Sequence, residues 1–328
     1  MATLAYPEQK WYGLPPLFNP QDGETILKPE ESGSGNWVGA PSIVYDSSTQ
    51  RFYLYYRVRK PRPIRGGECY IAESTDGETF DTIWGVHKEA LGTPSIERSC
   101  LIKNPKGEWF LYLSYVDPET QKWRIDVVQA SNPGGFDLSQ RQKVFTAEDV
   151  GVQGVKDPWV MIINGLYYML ISYAATLPNL SAQEQQRLHA TGDVYNTELT
   201  LSSTALALSS DGIHYVWKGE IFSPRQGAWD AYAARLGCLL PTGYGWVGYY
   251  DGSASVKENY EERTGIACTC DLRTFYRLSS DGPVLTSPEG SGSLRYIDAL
   301  LIKDEIWFYY EYCRSDGSHE LRRARIKR

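Results

Sequence analysis

The chain has 328 residues and a formal charge of −7, with a pI near 5.3. Hydrophobic residues make up 42% and charged residues 22%, which suits a packed core and excludes a disordered chain. There is no basic stripe, which argues against a nucleic-acid partner, and no apolar run is long enough to cross a membrane.

Residues 1–12 lack a charged segment followed by an apolar run. No secretory leader is therefore read, and a cytoplasmic location is expected. Beyond them, one two-strand pattern recurs five times. An apolar strand, a short turn and a strand rich in Tyr, Trp and Leu follow one another. The copies are centred on Ile43 and Leu54, Leu101 and Leu111, Val160 and Tyr168, Cys238 and Gly248, and Ala299 and Phe308. Turns such as Asn164-Gly165 and Pro241-Thr242-Gly243 carry hairpin chemistry. In most copies a third strand follows and ends in a second turn, as in Ser74-Thr75-Asp76-Gly77 and Ser209-Ser210-Asp211-Gly212. Phe80, Phe136, Tyr215 and Phe275 then open a short outer strand.

Ile43, Leu101, Val160, Cys238 and Ala299 follow one another at intervals of 58, 59, 78 and 61 residues. A period near sixty with about four antiparallel strands per unit predicts an all-β, five-bladed β-propeller. One domain spans residues 1–328, with blades near 37–85, 95–145, 153–220, 228–280 and 292–328. The long third interval predicts an insertion at 176–198. Its Ser181 and Glu184 form a capping box that opens a short helix, either a surface excursion or a lid. The C-terminal run Arg322, Arg323, Arg325, Lys327 and Arg328 is expected to be a solvated last strand and tail.

There are six cysteines: Cys69, Cys100, Cys238, Cys268, Cys270 and Cys313. None is paired as Cys-x-x-Cys, and no histidine lies at metal-ligand spacing from them. Free, buried thiols are expected, with Cys268 and Cys270 on one strand face, and neither a metal nor a cofactor is called for.

The first strand of each blade lines a central channel, so the residues that open these strands share one funnel. The first blade offers Trp37 with Gly39 and Ala40. The second offers Glu97 and Arg98, and the third Lys156, Asp157 and, one step on, Trp159. The fourth offers Asp230, Tyr232 and Arg235, and the fifth Arg295, Tyr296 and Asp298. Arg57, from a second strand, reaches the same rim. Buried charges are costly unless paired or used. A channel lined by structural salt bridges competes with a working site, and the recurrence of acids on separate blades favours the working site. Glycoside cleavage needs two carboxyl groups, one to protonate the leaving oxygen and one to activate water or attack carbon. Glu97, Asp157, Asp230 and Asp298 are the candidate catalytic acids. Arg57, Arg98, Lys156, Trp37, Trp159, Tyr232, Arg235, Arg295 and Tyr296 are candidates for substrate contact. Aromatics reach 13%, with 24 Tyr and 10 Trp; most serve as strand formers, and some are free to pack on sugar rings.

The pattern resembles the five-bladed propeller glycosidases of glycoside hydrolase families 32, 43, 68, 117 and 130, over nearly the whole chain. Asp157-Pro158 resembles the blade-three Asp-Pro step of families 43 and 32, where the Asp holds substrate and tunes the acid. Tyr56-Arg57, Glu97-Arg98, and Trp229-Asp230 through Gly245-Trp246 are similar to places in family 130, where a second-blade acid is catalytic. The sequence departs where families 43 and 32 carry a first-blade Asp, because that slot reads Gly39-Ala40-Pro41. The fourth-blade Glu of those families has no counterpart beyond Asp230 or the slot of Arg235. The resemblance implies a glycoside hydrolase acting on a terminal or small sugar, with a carbohydrate as its partner. A glycoside phosphorylase, with Arg57, Arg98, Arg235 and Arg295 holding phosphate, and a non-catalytic sugar-binding propeller are the alternatives. Some relatives hold a channel cation, but no dense ligand motif for one occurs here.

Overall fold

The computed structural model describes residues 15–243 and 245–327, an all-β architecture with one short α-helix and a few 3-10 turns. The first strand, β1 (Glu24–Leu27), lies ahead of the repeats. The first ladder is β2 (Trp37–Asp46), β3 (Arg51–Lys60), β4 (Arg65–Ser74) and β5 (Asp81–His87). The second is β6 (Cys100–Lys103), β7 (Trp109–Val116), β8 (Trp123–Ala130) and β9 (Gln142–Phe145). The third is β10 (Val155–Ile163), β11 (Leu166–Thr176), β12 (Thr200–Ser209) and β13 (Val216–Phe222). The fourth is β14 (Ala233–Thr242), β15 (Gly245–Ser253), β16 (Arg263–Thr269) and β17 (Tyr276–Arg277). The last holds β18 (Leu294–Ile302), β19 (Glu305–Cys313) and β20 (His319–Lys327). Pairing within each ladder is antiparallel.

The fourth strand of the last ladder comes from the other end of the chain. β1 pairs with β20, with Glu24 opposite Arg323. This changes the expectation for the C-terminal basic run. Arg323 is buried and ion-paired to Glu24 and, at 2.7 Å, to Glu78. Arg328 and the leader expectation for residues 1–12 lie outside the described residues.

Local chemistry explains the turns. Asn164 and Gly165 both take positive φ, 50° and 79°, in the hairpin between β10 and β11, as a two-residue turn of mirror-image type requires. After the third strands one device recurs. Asp76 Oδ1 accepts from the backbone N–H of Glu78 and Thr79, Asp211 Oδ1 from Ile213 and His214, and Asp271 Oδ1 from Arg273 and Thr274. These side chains replace ladder partners that the backbone loses as it reverses.

The ladders pack face to face through apolar layers. Tyr53, Ile71, Leu111 and Val128 meet between the first and second, and Phe110, Val127, Met169 and Ala205 between the second and third. Leu54, Ile43, Trp307 and Leu321 join the last ladder to the first. Each fully buried side chain of this kind contributes about 1.5–3 kcal/mol. The innermost strands neighbour one another in the cyclic order β2, β6, β10, β14, β18 and back to β2. Their N-terminal ends therefore converge on one side of the molecule.

Candidate functional site

The inner strands share one irregularity. The register slips between Gly39 and Ser42, Lys156 and Trp159, and Arg295 and Asp298. At each slip a non-glycine residue takes positive φ: Ala40 at 54°, Asp157 at 51° and Tyr296 at 54°. Such bulges re-aim side chains, and their strain, on the order of 1–3 kcal/mol per residue, is often held at functional sites. β14 slips at Gly237, and in the second repeat Glu97–Ser99 leave the ladder before β6 begins. Gly39, Glu97, Lys156, Arg235 and Arg295 are thus equivalent in rank.

These residues form one buried charged cluster. Glu97 accepts a hydrogen bond from Arg59 Nη1 at 3.1 Å and one from the Tyr296 hydroxyl at 3.1 Å, and Arg57 Nε lies 3.7 Å from its Oε2. Lys156 Nζ is 3.2 Å from Asp157 Oδ2, yet among the described residues neither Asp157 oxygen receives a well-directed hydrogen bond. Arg295 bridges Glu262 at 2.7 Å and Glu311 at 2.7 Å, and Arg235 binds the other Glu262 oxygen at 2.8 Å. Glu311 also pairs with Arg57 at 3.1 Å. Trp37 stacks on His319 at 4.6 Å and lies under the guanidinium groups of Arg59 and Arg295. The first-blade slot is empty of acid because Glu311 fills it: a Cβ on Gly39 would sit 2.5 Å from Glu311 Cγ.

The cluster splits its carboxyl groups into two kinds. Burial alone would raise Glu97, but Arg57, Lys156, Arg59 and Arg295 overcome it and hold the group at about 2. Burial raises Asp157, and the nearby Glu97 charge adds to it, while Lys156 only partly offsets both. Burial and the Glu262 charge push Asp251 up to about 7. Glu262 itself is held at about 2, because Arg235 and Arg295 outweigh its burial. A carboxyl held low beside one pushed up is the arrangement that separates acid from base roles.

Glu97, Asp157, Lys156, Arg57, Arg235, Arg295, Tyr296 and Trp37 come together here; other candidates do not. Asp298 lies one layer beyond the bulge. It accepts from the Ile43 N–H at 2.8 Å and from Trp159 Nε1 at 3.0 Å. With Trp159 it lines a cavity of about 910 Å³ at the C-terminal ends of the inner strands. Arg98 spans the channel between the two ends, donating to the Pro41 and Ile297 carbonyls. Asp230 faces outward, bound by Arg225, Arg277 and the Tyr250 hydroxyl. Tyr232 donates to the Tyr195 carbonyl at 2.8 Å and supports the insertion instead of the funnel floor.

That insertion covers the cluster. Its helix α1 (Ala182–Arg187) opens with the capping box of Ser181 and Glu184. Further on, Asp193 is bound by Arg62 and the Tyr260 hydroxyl, with Arg65 at 3.8 Å, and the Tyr195 ring lies 4.7 Å from Lys156 Nζ. Glu97 and Asp157 are only 2% and 3% exposed.

The sequence reading missed Arg59, Asp193, Tyr195, Tyr260, Glu262 and His319. Arg59 had a signal, because it lies two residues from Arg57 and so on the same strand face. The others sit in loops or at strand starts whose partners are set only by the packing of neighbouring ladders. The six cysteines form no disulfide; Cys268 is half-buried, and Cys270, just past the end of β16, is exposed. The other four are buried.

No protein-family model matches the chain, and no curated protein matches it in sequence. Solved structures do resemble it. A glycosyl hydrolase from Bacteroides ovatus aligns over 94% of this chain and 92% of its own, at 16% identity and a TM-score of 0.66. A β-1,2-mannobiose phosphorylase from Listeria innocua, in complex with β-1,2-mannobiose, aligns over 94% of each chain at 16% identity and a TM-score of 0.61. A glycoside hydrolase family 43 enzyme from Xanthomonas citri, complexed with xylotriose, aligns over 92% of this chain and 89% of its own at 13% identity and a TM-score of 0.62. At such identities the likeness is one of fold, which the chain shares with these glycoside-active enzymes.

Proposed function

We propose that the chain is a five-bladed β-propeller that cleaves glycosidic bonds at the N-terminal ends of its inner strands. The ring order of the five inner strands supports the blade count. What carries the chemistry is the split pair: Asp157, whose carboxyl burial pushes up, beside Glu97, which its arginines hold low. Asp157 gives its proton to the leaving glycosidic oxygen. Water adds at the anomeric carbon and passes a proton to Glu97, whose negative charge also faces the positive charge developing on the sugar. Glu97 is a weak base while Arg57 and Arg59 hold it, so sugar hydroxyls that draw these arginines away make it a stronger one.

Phosphorolysis is a second reading, favoured by one observation. Arg57 is fully buried, yet among the described residues its Nε and Nη1 have no hydrogen-bond partner, which suits an oxyanion held in a bidentate way. Product analysis on a panel of oligosaccharides, with and without phosphate, separates the two. Free sugar without phosphate supports hydrolysis, and sugar phosphate formed only with phosphate supports phosphorolysis. Tight sugar binding with no product under either condition contradicts catalysis.

A further inference from the structure

Cys313 ends β19 and His319 opens β20, and the hairpin register sets them opposite each other. Glu261, from the loop that leads into β16, reaches the same point. Cys313 Sγ, one His319 ring nitrogen and a Glu261 carboxylate oxygen all lie within 4.8 Å of one another, with Glu261 Oε2 3.0 Å from His319 Nε2. The opposite ring nitrogen, Nδ1, lies 2.8 Å from Glu311 Oε1. Glu311 is ion-paired to Arg295 and Arg57 and faces Nδ1, which leaves Nε2 facing Glu261. A carboxylate that orients a histidine in this way is the usual support of a metal-ligating imidazole. Trp37, stacked at 4.6 Å, fixes the ring plane.

We propose that Glu261, Cys313 and His319 bind one divalent transition-metal ion of the zinc type. A thiolate, an imidazole and a carboxylate suit zinc or cobalt and disfavour calcium or magnesium. A fourth, tetrahedral position falls to water or to Ser291, whose hydroxyl is 3.4 Å from Cys313 Sγ. The Glu261 side chain is 23% exposed, which gives an ion a path in from solvent. Sequence spacing hid the site, because a hairpin and a distant loop assemble it. The ion would pin the loop that carries Tyr260 and Glu262. These two residues hold the cover and the arginine pair, so occupancy would order the funnel from outside it.

The test is titration of the chelator-stripped full chain with cobalt(II), then with zinc(II). Binding of one equivalent is expected, with visible bands of tetrahedral cobalt and a thiolate-to-cobalt band in the near ultraviolet, all displaced by zinc. Cys313→Ser should remove the thiolate band and Glu261→Gln should weaken binding, whereas the double variant Cys268→Ser/Cys270→Ser should keep both signals. Two outcomes overturn the proposal: no saturable binding, which leaves His319 an imidazolium between two carboxylates, or a thiolate band that survives Cys313→Ser.

Discussion

Gly39 and Glu311 compete for one place. A Cβ at position 39 would lie 2.5 Å from Glu311 Cγ and 2.7 Å from Glu311 Cβ, so the acid reaches this point from β19 only because β2 carries glycine there. Exchanging the two, as Gly39→Asp with Glu311→Gly, moves the carboxylate to the neighbouring strand. Gly39→Asp alone overpacks a filled site, costing about 1–3 kcal/mol, and sets a like charge beside Glu311. Glu311→Gly alone takes one carboxylate partner each from Arg57, Arg295 and His319, and loss of one partner from a buried ion pair costs about 3–5 kcal/mol. Independent effects would sum to roughly 4–8 kcal/mol. The exchange relieves the clash and restores the charge, so the double variant should recover at least about 2 kcal/mol of that sum. For a chain of this length 2 kcal/mol corresponds to roughly 3 °C in Tm. Urea unfolding followed by tryptophan fluorescence, with calorimetry in parallel, measures it. Additivity of the two single changes within about 0.5 kcal/mol would refute the shared-site reasoning.

Asp251 offers a pH test. Its native value near 7 lies above the ordinary 3.8, so the folded state binds this proton more tightly than the unfolded one. Its contribution to stability is full below about pH 4 and falls as pH rises to 7. Asp251→Asn removes that loss, so its stability relative to the parent should climb between pH 4 and 7, by up to roughly 4 kcal/mol, and then level off; a flat difference across unfolding curves at several pH values speaks against the buried, protonated acid. Gly237→Ala should destabilise the chain, because its Cβ collides with Arg98 Nη1, and Arg98→Ala in the same chain should relieve part of the loss in Tm. Asp193→Ala frees Arg62 and Tyr260, so hydrogen exchange should quicken in 188–200 and 256–262 while β7 and β11 stay protected; unchanged exchange in both loops would mean that Asp193 is no latch.

Much of the strand order was legible because each strand carries its own signal: apolar inner strands, aromatic second strands and Asp-centred turns. β1 was not, since a four-residue strand some three hundred residues from its partner repeats no texture. The ring of Glu97, Lys156, Arg235 and Arg295 was legible because these residues open equivalent strands. Asp298 was misplaced because the bulge at Tyr296 carries it past the funnel into the next layer, where it pins Ile43 and Trp159. Asp230 was misplaced because Arg225 and Arg277 turn it away from the axis, and no spacing records that. The wall that Glu262 and His319 supply depends on packing between ladders, which strand periodicity does not encode.

Leaving-group dependence bears most directly on the split pair. Aryl glycosides with a poor phenol need the Asp157 proton to depart, whereas dinitrophenyl glycosides do not. Asp157→Asn should lose about 10²–10⁴-fold on the first and far less on the second, while Glu97→Gln should fail on both. Equal losses on both substrates for Asp157→Asn, or full activity in either variant, would contradict these roles.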